Sequence, residues 1–440
     1  MEKKSMTVGI YTLGCKVNQY ESEAIAEELI RKGFKIDSPS AVCDAYVINT
    51  CTVTAESDRK ARQFIRRAIT KNPDAYVVVT GCMAQTASED IARIDGVDAV
   101  VGNTDKLSAA RLIEQLTKKG EKSSSPIICV SDIDSADFEK MNITTFDRTR
   151  AYVKIEDGCE SRCTYCIIPS ARGKIRSKAP EDVIAEVKAL TAGGCREVVL
   201  TGIETASYGK DLGNTNLASL LCEIDKIDGI GRVRLGSLDP SLIKKDFVEK
   251  ISGLRSLAPH FHLSLQSGSD TVLALMKRKY NSKMAMTAIE LLREYIPDVK
   301  FTTDIIVGFP YETEENFMET VEFVRKADFL MTHIFPYSKR AGTPAAKMQG
   351  QIPKEEKSRR LHLLSDVEAA SRMNILQKEI EKNPYKEVLF ETFKDGILTG
   401  HTADFIEVKV PFCRPLHAQL VKVRLDSTDG NVIYGVIDEG

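Results

Sequence analysis

Cys159, Cys163 and Cys166 lie in GCESRCTYC, residues 158–166, at a C-x3-C-x2-C spacing. Four thiolates normally hold a four-iron cluster, and a structural zinc also takes four ligands. This loop offers three. Either a distant residue completes a zinc site, or a cluster keeps one iron free of protein ligands. The spacing is not a usual zinc-knuckle one, and the next histidine, His260, is remote. An open coordination position is where a metal does chemistry rather than holds a fold.

A second trio is spread along the N-terminal quarter. Cys15, Cys51 and Cys82 each stand just beyond an apolar, strand-like stretch, beside Gly14, Thr50 and Gly81. Their spacing of 36 and 31 residues is about one strand–helix unit, and the loops that follow parallel strands gather at one sheet edge. The three thiols are therefore expected to converge. Three buried, inert thiols would be the alternative, since free cysteine is among the most buried residue types. Cys43, Cys129, Cys195, Cys222 and Cys413 lack this placement and read as packing residues.

The elements that must position these residues follow from periodicity. Strands at 7–12, 45–49 and 75–80 alternate with helical patterns at 19–32, 54–71 and 83–93, as in a parallel α/β sheet. After a Ser- and Asp-rich boundary at 120–148, six more strands begin at 151, 197, 232, 261, 301 and 332. Five helical connections separate them, at about 180–192, 216–227, 241–252, 269–295 and 312–327. Such a series curls into an incomplete barrel whose C-terminal rim carries the 158–166 loop. A helix at 354–382 leads to a small all-β module over 385–440. The expected division is 1–125, 145–376 and 377–440.

At 440 residues with 42% hydrophobic and 28% charged residues the chain is ordinary for a multidomain globular protein. Eleven cysteines without a secretion signal argue against a disulfide framework. No uninterrupted apolar run approaches a membrane span, so a cytoplasmic protein without membrane association is expected. The net charge of −2 excludes a global attraction to nucleic acid; local patches must supply any. Candidates are the helix SDRKARQFIRR (57–67) and the period-two run Arg172, Lys174, Arg176, Lys178, which in an extended segment presents one basic stripe suited to nucleic-acid phosphates, a merely solvated edge being its other reading. The β module holds six Lys or Arg against nine Asp or Glu, so its charge does not mark it as an RNA binder.

TLGCKVNQYESE, NTCTVT, GCMAQ, CTYCIIPSARGKIRS, LTGIE, HLSLQSGSD, MKRKY, DIIVGFPYETEE and HIFPYSKRAGTPAAKM cover nearly the whole chain. They resemble the radical S-adenosylmethionine (SAM) methylthiotransferases, and GCKVN and the last motif resemble the MtaB branch most. The resemblance implies two [4Fe–4S] clusters, on Cys159/Cys163/Cys166 and on Cys15/Cys51/Cys82. SAM takes the open iron of the first cluster, and Tyr165 borders its adenine. Gly202, Gln266, Val307 and Gly308 end barrel strands and are candidate SAM contacts, ordinary strand-end packing being their other reading. The β module resembles a TRAM domain, an RNA-binding fold.

The implied reaction replaces the C2–H of N6-threonylcarbamoyladenosine, next to the tRNA anticodon, by C2–SCH3. One SAM methylates sulfur on the N-terminal cluster, and a second supplies the radical that activates C2. A positioned acid or base contributes only about 10²–10⁴-fold, so activating this C–H falls to cofactors. An electron donor such as flavodoxin or ferredoxin and a sulfur source are implied partners. Isopentenyladenosine in tRNA, a ribosomal-protein aspartate, or a non-catalytic iron–sulfur scaffold that binds RNA are the alternatives. Ser170 stands where the family usually has tyrosine, and Tyr311 where it has glycine.

Overall fold

The structure, a computed structural model, describes residues 5–120, 122, 125–146 and 149–438. Its N-terminal domain is a six-stranded parallel sheet: β1 (Thr7–Thr12), β2 (Lys35–Asp37), β3 (Ala45–Thr50), β4 (Tyr76–Gly81), β5 (Ala99–Val101) and β6 (Ile127–Cys129). The order is β2-β1-β3-β4-β5-β6. All six residues of β3 and of β4 are buried, because helices cover both faces of a parallel sheet. The three-residue strands β2, β5 and β6 are too short to read from period alone; β6 falls in the stretch taken as a boundary. That stretch also includes positions 121, 123, 124, 147 and 148, which lie outside the described residues.

The central domain has β7 (Ala151–Lys154), a ribbon of β8 (Glu156–Asp157) and β9 (Arg176–Ser177), then β10 (Glu197–Thr201) and β11 (Arg232–Leu235). β12 (His260–Gln266), β13 (Lys300–Val307) and β14 (Met331–Pro336) follow. β7-β10-β11 and β12-β13-β14 are parallel sheets joined by the bridges Val233–Leu257 and Leu238–Leu263. Six strands thus curve into the expected incomplete barrel. The continuous helix expected at 269–295 is broken: helices Asp270–Leu275 and Ser282–Tyr295 flank a turn in which Lys277 takes φ +56.

Helix Lys354–Lys382 leads to β15 (Tyr385–Lys394), β16 (Ile397–Thr402), β17 (Glu407–Pro411), β18 (Leu420–Thr428) and β19 (Ile433–Ile437). These close into a small barrel in the order β15-β16-β17-β19-β18, a TRAM-like module. It packs on the N-terminal ends of the central strands. Arg232 donates to the carbonyls of His401 and Glu387, Arg150 pairs with Glu391, and His260 stacks on Phe405 with centroids 4.5 Å apart. The module is a plug for the barrel base. No helix among the described residues is long and apolar enough to cross a membrane.

Candidate active site between two cysteine trios

Strands β1, β3 and β4 are neighbours in the sheet, so the loops after them meet at its C-terminal edge with Cys15, Cys51 and Cys82. Two glycines permit the convergence. A Cβ on Gly14 (φ +100) would stand 2.8 Å from the Cys51 Cβ. One on Gly81 (φ +99) would stand 2.3 Å from the Thr50 carbonyl oxygen. Cys15 is the N-cap of helix Lys16–Arg31, whose dipole favours a thiolate there. Burial, with Cys82 and Cys15 adding to it, pushes the Cys51 thiol up to about 11. A thiol so placed ionises when a metal takes the place of its proton. Three converging sulfurs, two of them buried, make a donor set that fits an iron–sulfur cluster with one open position.

Across the domain boundary the second trio follows β8. The Cys159 N–H donates to the Gly173 carbonyl and the Cys166 N–H to that of Cys163, which fixes the loop. Arg278, from the turn that breaks the expected helix, donates to Cys163 Sγ at 3.3 Å and pairs with Asp239 at 3.0 Å. Donors to sulfur and solvent exposure are the means by which a protein sets a cluster's potential. Cys159 Sγ donates to Glu204 at 3.2 Å, and burial and that carboxylate both raise the thiol. An iron held by Cys159 would take the place of this proton and leave Glu204 free to accept from another donor. Burial raises the Cys166 thiol to about 11. Arg172, six residues after Cys166, donates through Nε to Cys82 Sγ at 3.2 Å, so the two trios adjoin across the interface.

The candidate SAM contacts line the rim unevenly. Tyr165 is half-buried against Val272, Met276 and Phe309, edge-on to the last at 6.4 Å. Gln266 ends β12 at φ +71, beside a register shift. Gly202 packs on Glu156, a buried carboxyl with one oxygen unpartnered and its pKa well above the usual range through burial. Val307 is sealed in the core, and Gly308 packs under Lys357, so these two could meet a ligand only through the backbone. A cavity of about 580 Å³, of a size that holds a nucleoside-class ligand, adjoins the loop between Glu204, Tyr208, Asp239 and Lys279.

The expected basic stripe does not exist. Arg172, Arg176 and Lys178 are buried and only Lys174 is exposed. The run lies buried, and carboxylates oppose its cations: Arg172, which ends helix Ile168–Arg172, meets Glu21 at 2.5 Å and Asp157 at 3.2 Å, and Lys178, just after β9, meets Glu186 at 2.5 Å. Helix Ala55–Lys71 does expose Arg59, Lys60, Arg66 and Arg67. Of the cysteines read as packing, Cys43 and Cys195 are buried, whereas Cys129 and Cys413 are exposed. Ser170 is exposed, and Tyr311 adopts φ +67, a left-handed conformation that suits glycine.

Sequence reasoning missed the roles of Arg172, Arg278 and Glu204. All three sit inside motifs it quoted, but nothing in composition or spacing separates a sulfur-contacting arginine from a surface one.

Comparison with known proteins agrees with this geometry. Residues 153–324 match the Radical SAM superfamily, and residues 7–102 match the uncharacterized protein family UPF0004. The chain is 41% identical over 425 residues to the threonylcarbamoyladenosine tRNA methylthiotransferase MtaB of Bacillus subtilis, covering 95% of this chain and 93% of that one. It is 35% identical over 438 residues to the tRNA-2-methylthio-N(6)-dimethylallyladenosine synthase of Carboxydothermus hydrogenoformans, covering 97% of each. The radical SAM methyltransferase TsrM of Kitasatospora setae, solved with cobalamin and a [4Fe-4S] cluster, superposes with a TM-score of 0.57 at 17% identity. It covers 78% of this chain and 77% of that one, and shares its fold. Two adjoining cysteine trios, a partial barrel and these relatives place the chain in the radical-SAM methylthiotransferase family.

Proposed function

We propose that the protein is a cytoplasmic tRNA methylthiotransferase that adds a methylthio group to C2 of N6-threonylcarbamoyladenosine beside the anticodon. The observation that carries this reading is the pair of three-cysteine sites adjoining across one domain interface. When bound, the clusters and SAM supply the electron, the radical and the sulfur and methyl groups. Cys159, Cys163 and Cys166 would hold the SAM-side cluster, with Arg278 donating to Cys163. Cys15, Cys51 and Cys82 would hold the other, with Arg172 Nε donating to Cys82 at 3.2 Å. Tyr165, Gly202 and Gln266 border the adenosyl pocket, and Val307 and Gly308 contribute backbone only.

Segment 1–125 carries the sulfur-donating site, 145–376 the SAM site, and 377–440 helps hold the tRNA anticodon stem-loop. A flavodoxin or ferredoxin supplies electrons, and a separate sulfur source replenishes the donated atom. The 41% identity to an MtaB protein favours the threonylcarbamoyl substrate over the dimethylallyl one. Mass spectrometry of tRNA nucleosides from a deletion strain tests this. Loss of the 2-methylthio form of threonylcarbamoyladenosine is expected; loss of the dimethylallyl form instead would overturn the substrate, and an unchanged profile the function.

A further inference from the structure

Lys277, Arg278 and Lys279 are three consecutive cations beside the Cys159–Cys166 loop, and only the middle one turns inward. Lys277 and Lys279 are exposed, whereas the Arg278 side chain is 8% exposed. The left-handed Lys277 makes the reversal, a conformation that a residue with a side chain adopts at a cost. Arg278 is then held from outside the cysteine loop. Its Nη2 donates to Asp239 Oδ2 at 3.0 Å and to the Ser264 carbonyl at 2.8 Å. Its Nε donates to Tyr280 Oη at 3.0 Å, and Tyr280 donates in turn to the Leu265 carbonyl at 2.6 Å. With those two nitrogens engaged, Nη1 reaches Cys163 Sγ at 3.3 Å.

The loop does not depend on this contact for its shape. The Thr164 N–H donates to the Met276 carbonyl at 3.1 Å and the Thr164 hydroxyl to the Leu275 carbonyl at 2.8 Å. Cys159 and Cys166 are fastened through their own N–H groups. The guanidinium at Cys163 therefore acts on charge rather than on chain geometry. One electron from an external donor adds one negative charge on the sulfur side of Arg278. A fixed cation with an N–H on that sulfur favours the more negative state and so raises the potential. Burial keeps salt from screening it. Asp239, on another nitrogen of the same guanidinium, opposes part of its charge.

We propose that the Arg278–Asp239 pair sets the reduction potential of a cluster held by Cys159, Cys163 and Cys166, Arg278 raising it and Asp239 limiting the rise. Arg278 acts through the Cys163 sulfur and is a positioning residue. The assignment needs the cluster but no particular RNA substrate, so it stands or falls apart from the threonylcarbamoyl reading. The other trio has its own donor in Arg172, which is opposed by two carboxylates, Glu21 and Asp157. It therefore serves as an internal reference.

The test is an anaerobic redox titration of the reconstituted full chain, followed by electron paramagnetic resonance. The signal that responds to added SAM is assigned to the Cys163 site, and iron and sulfide are measured on each variant. In Arg278→Met the ratio of reduced to oxidised cluster at a fixed potential should fall about tenfold, the scale of one charge-assisted hydrogen bond. For one electron that is a midpoint about 59 mV more negative. Arg278→Lys should recover part of the shift. Asp239→Asn should move the same signal the opposite way, toward easier reduction, which loosened packing would not do. The reference signal should stay in place throughout. A midpoint that does not fall in Arg278→Met, or does not rise in Asp239→Asn, overturns the proposal, as does an equal shift of both signals. If Arg278→Met fails to retain its iron, Asp239→Asn decides by the same criterion.

Discussion

Arg172 Nε lies 3.2 Å from Cys82 Sγ, so the loop after one cysteine trio holds a cysteine of the other. The same guanidinium meets Asn18 at 2.6 Å and Glu21 at 2.5 Å, all in full burial. Glu21 is further paired with Lys106 and, at 2.8 Å, with Lys154. Burial would raise the Glu21 carboxyl, but Arg172, Lys106 and Lys154 together hold it well below its ordinary range. The two cysteine trios are thus joined by a dry ionic network.

Breaking that network from one side leaves buried carboxylates under-compensated, which costs about 3–5 kcal/mol. Arg172→Ala should therefore lower unfolding stability by roughly that much and reduce the iron retained by the N-terminal trio. Denaturant unfolding and iron analysis check both. A variant that unfolds like the wild type and keeps all its iron would show the network to be incidental.

Two open three-cysteine sites imply two clusters. After anaerobic reconstitution iron and sulfide should each approach about eight per chain, that is, two four-iron clusters. Replacing Cys15, Cys51 and Cys82 together by Ala should remove about half. A value near four in the unmodified protein would rule out the second cluster.

The barrel base should respond to acid. Burial tends to raise Glu197, yet Arg234 and Arg150 bring it down to about 2. A carboxyl depressed on folding contributes stability that is present above its unfolded pKa, about 4, and is lost as pH falls toward the folded one. Glu197→Gln should therefore be less stable than the wild type at pH 7, by about 3–5 kcal/mol for one broken buried pair. The gap should shrink as pH drops below about 4. Urea unfolding at several pH values measures this; a gap independent of pH would contradict it.

The plug also bears on truncation. A chain ending near Lys382 would uncover Arg232, Arg234 and His260 as well as remove an RNA-binding candidate. Impaired tRNA modification in that chain should therefore come with a lower melting temperature. Phe405→Ala, which keeps the β module but removes the stack on His260, should show the thermal loss with a smaller loss of tRNA affinity. Equal tRNA affinity losses in both would assign the effect to docking alone.

The architecture was legible because it rests on long buried strands: β3, β4 and the six barrel strands are apolar runs bounded by turn residues. Strands of three residues carry no period, so β2 and β5 stayed hidden, and β6 showed only as a short strand-like piece inside the boundary at 120–148. The helix at 269–295 looked continuous because MKRKY has no glycine or proline, and only the left-handed Lys277 reveals the turn that delivers Arg278. Cys15, Cys51 and Cys82 could be picked out by their position after strands. Arg172 could not, because a period-two basic run has the same pattern whether it faces water or a buried Glu21.

The two trios should fail in opposite ways when each is damaged alone. The Cys163 site receives Arg278 at the barrel rim, beside Tyr165 and the adjoining cavity, whereas Cys51 lies on the sheet edge under Gly14. Cys163→Ala should abolish formation of 5′-deoxyadenosine from SAM, since no electron can reach the bound cosubstrate. Transfer of a methyl cation equivalent to sulfur at the other site is polar and needs no radical, so methyl loading there should persist. Cys51→Ala should cleave SAM without loading methyl groups or yielding methylthiolated RNA. Chromatography for 5′-deoxyadenosine reads the first activity, and methanethiol released by acid quenching reads the second. A Cys163→Ala protein that still makes 5′-deoxyadenosine, or a Cys51→Ala protein that still releases methanethiol, would reverse or abolish this division.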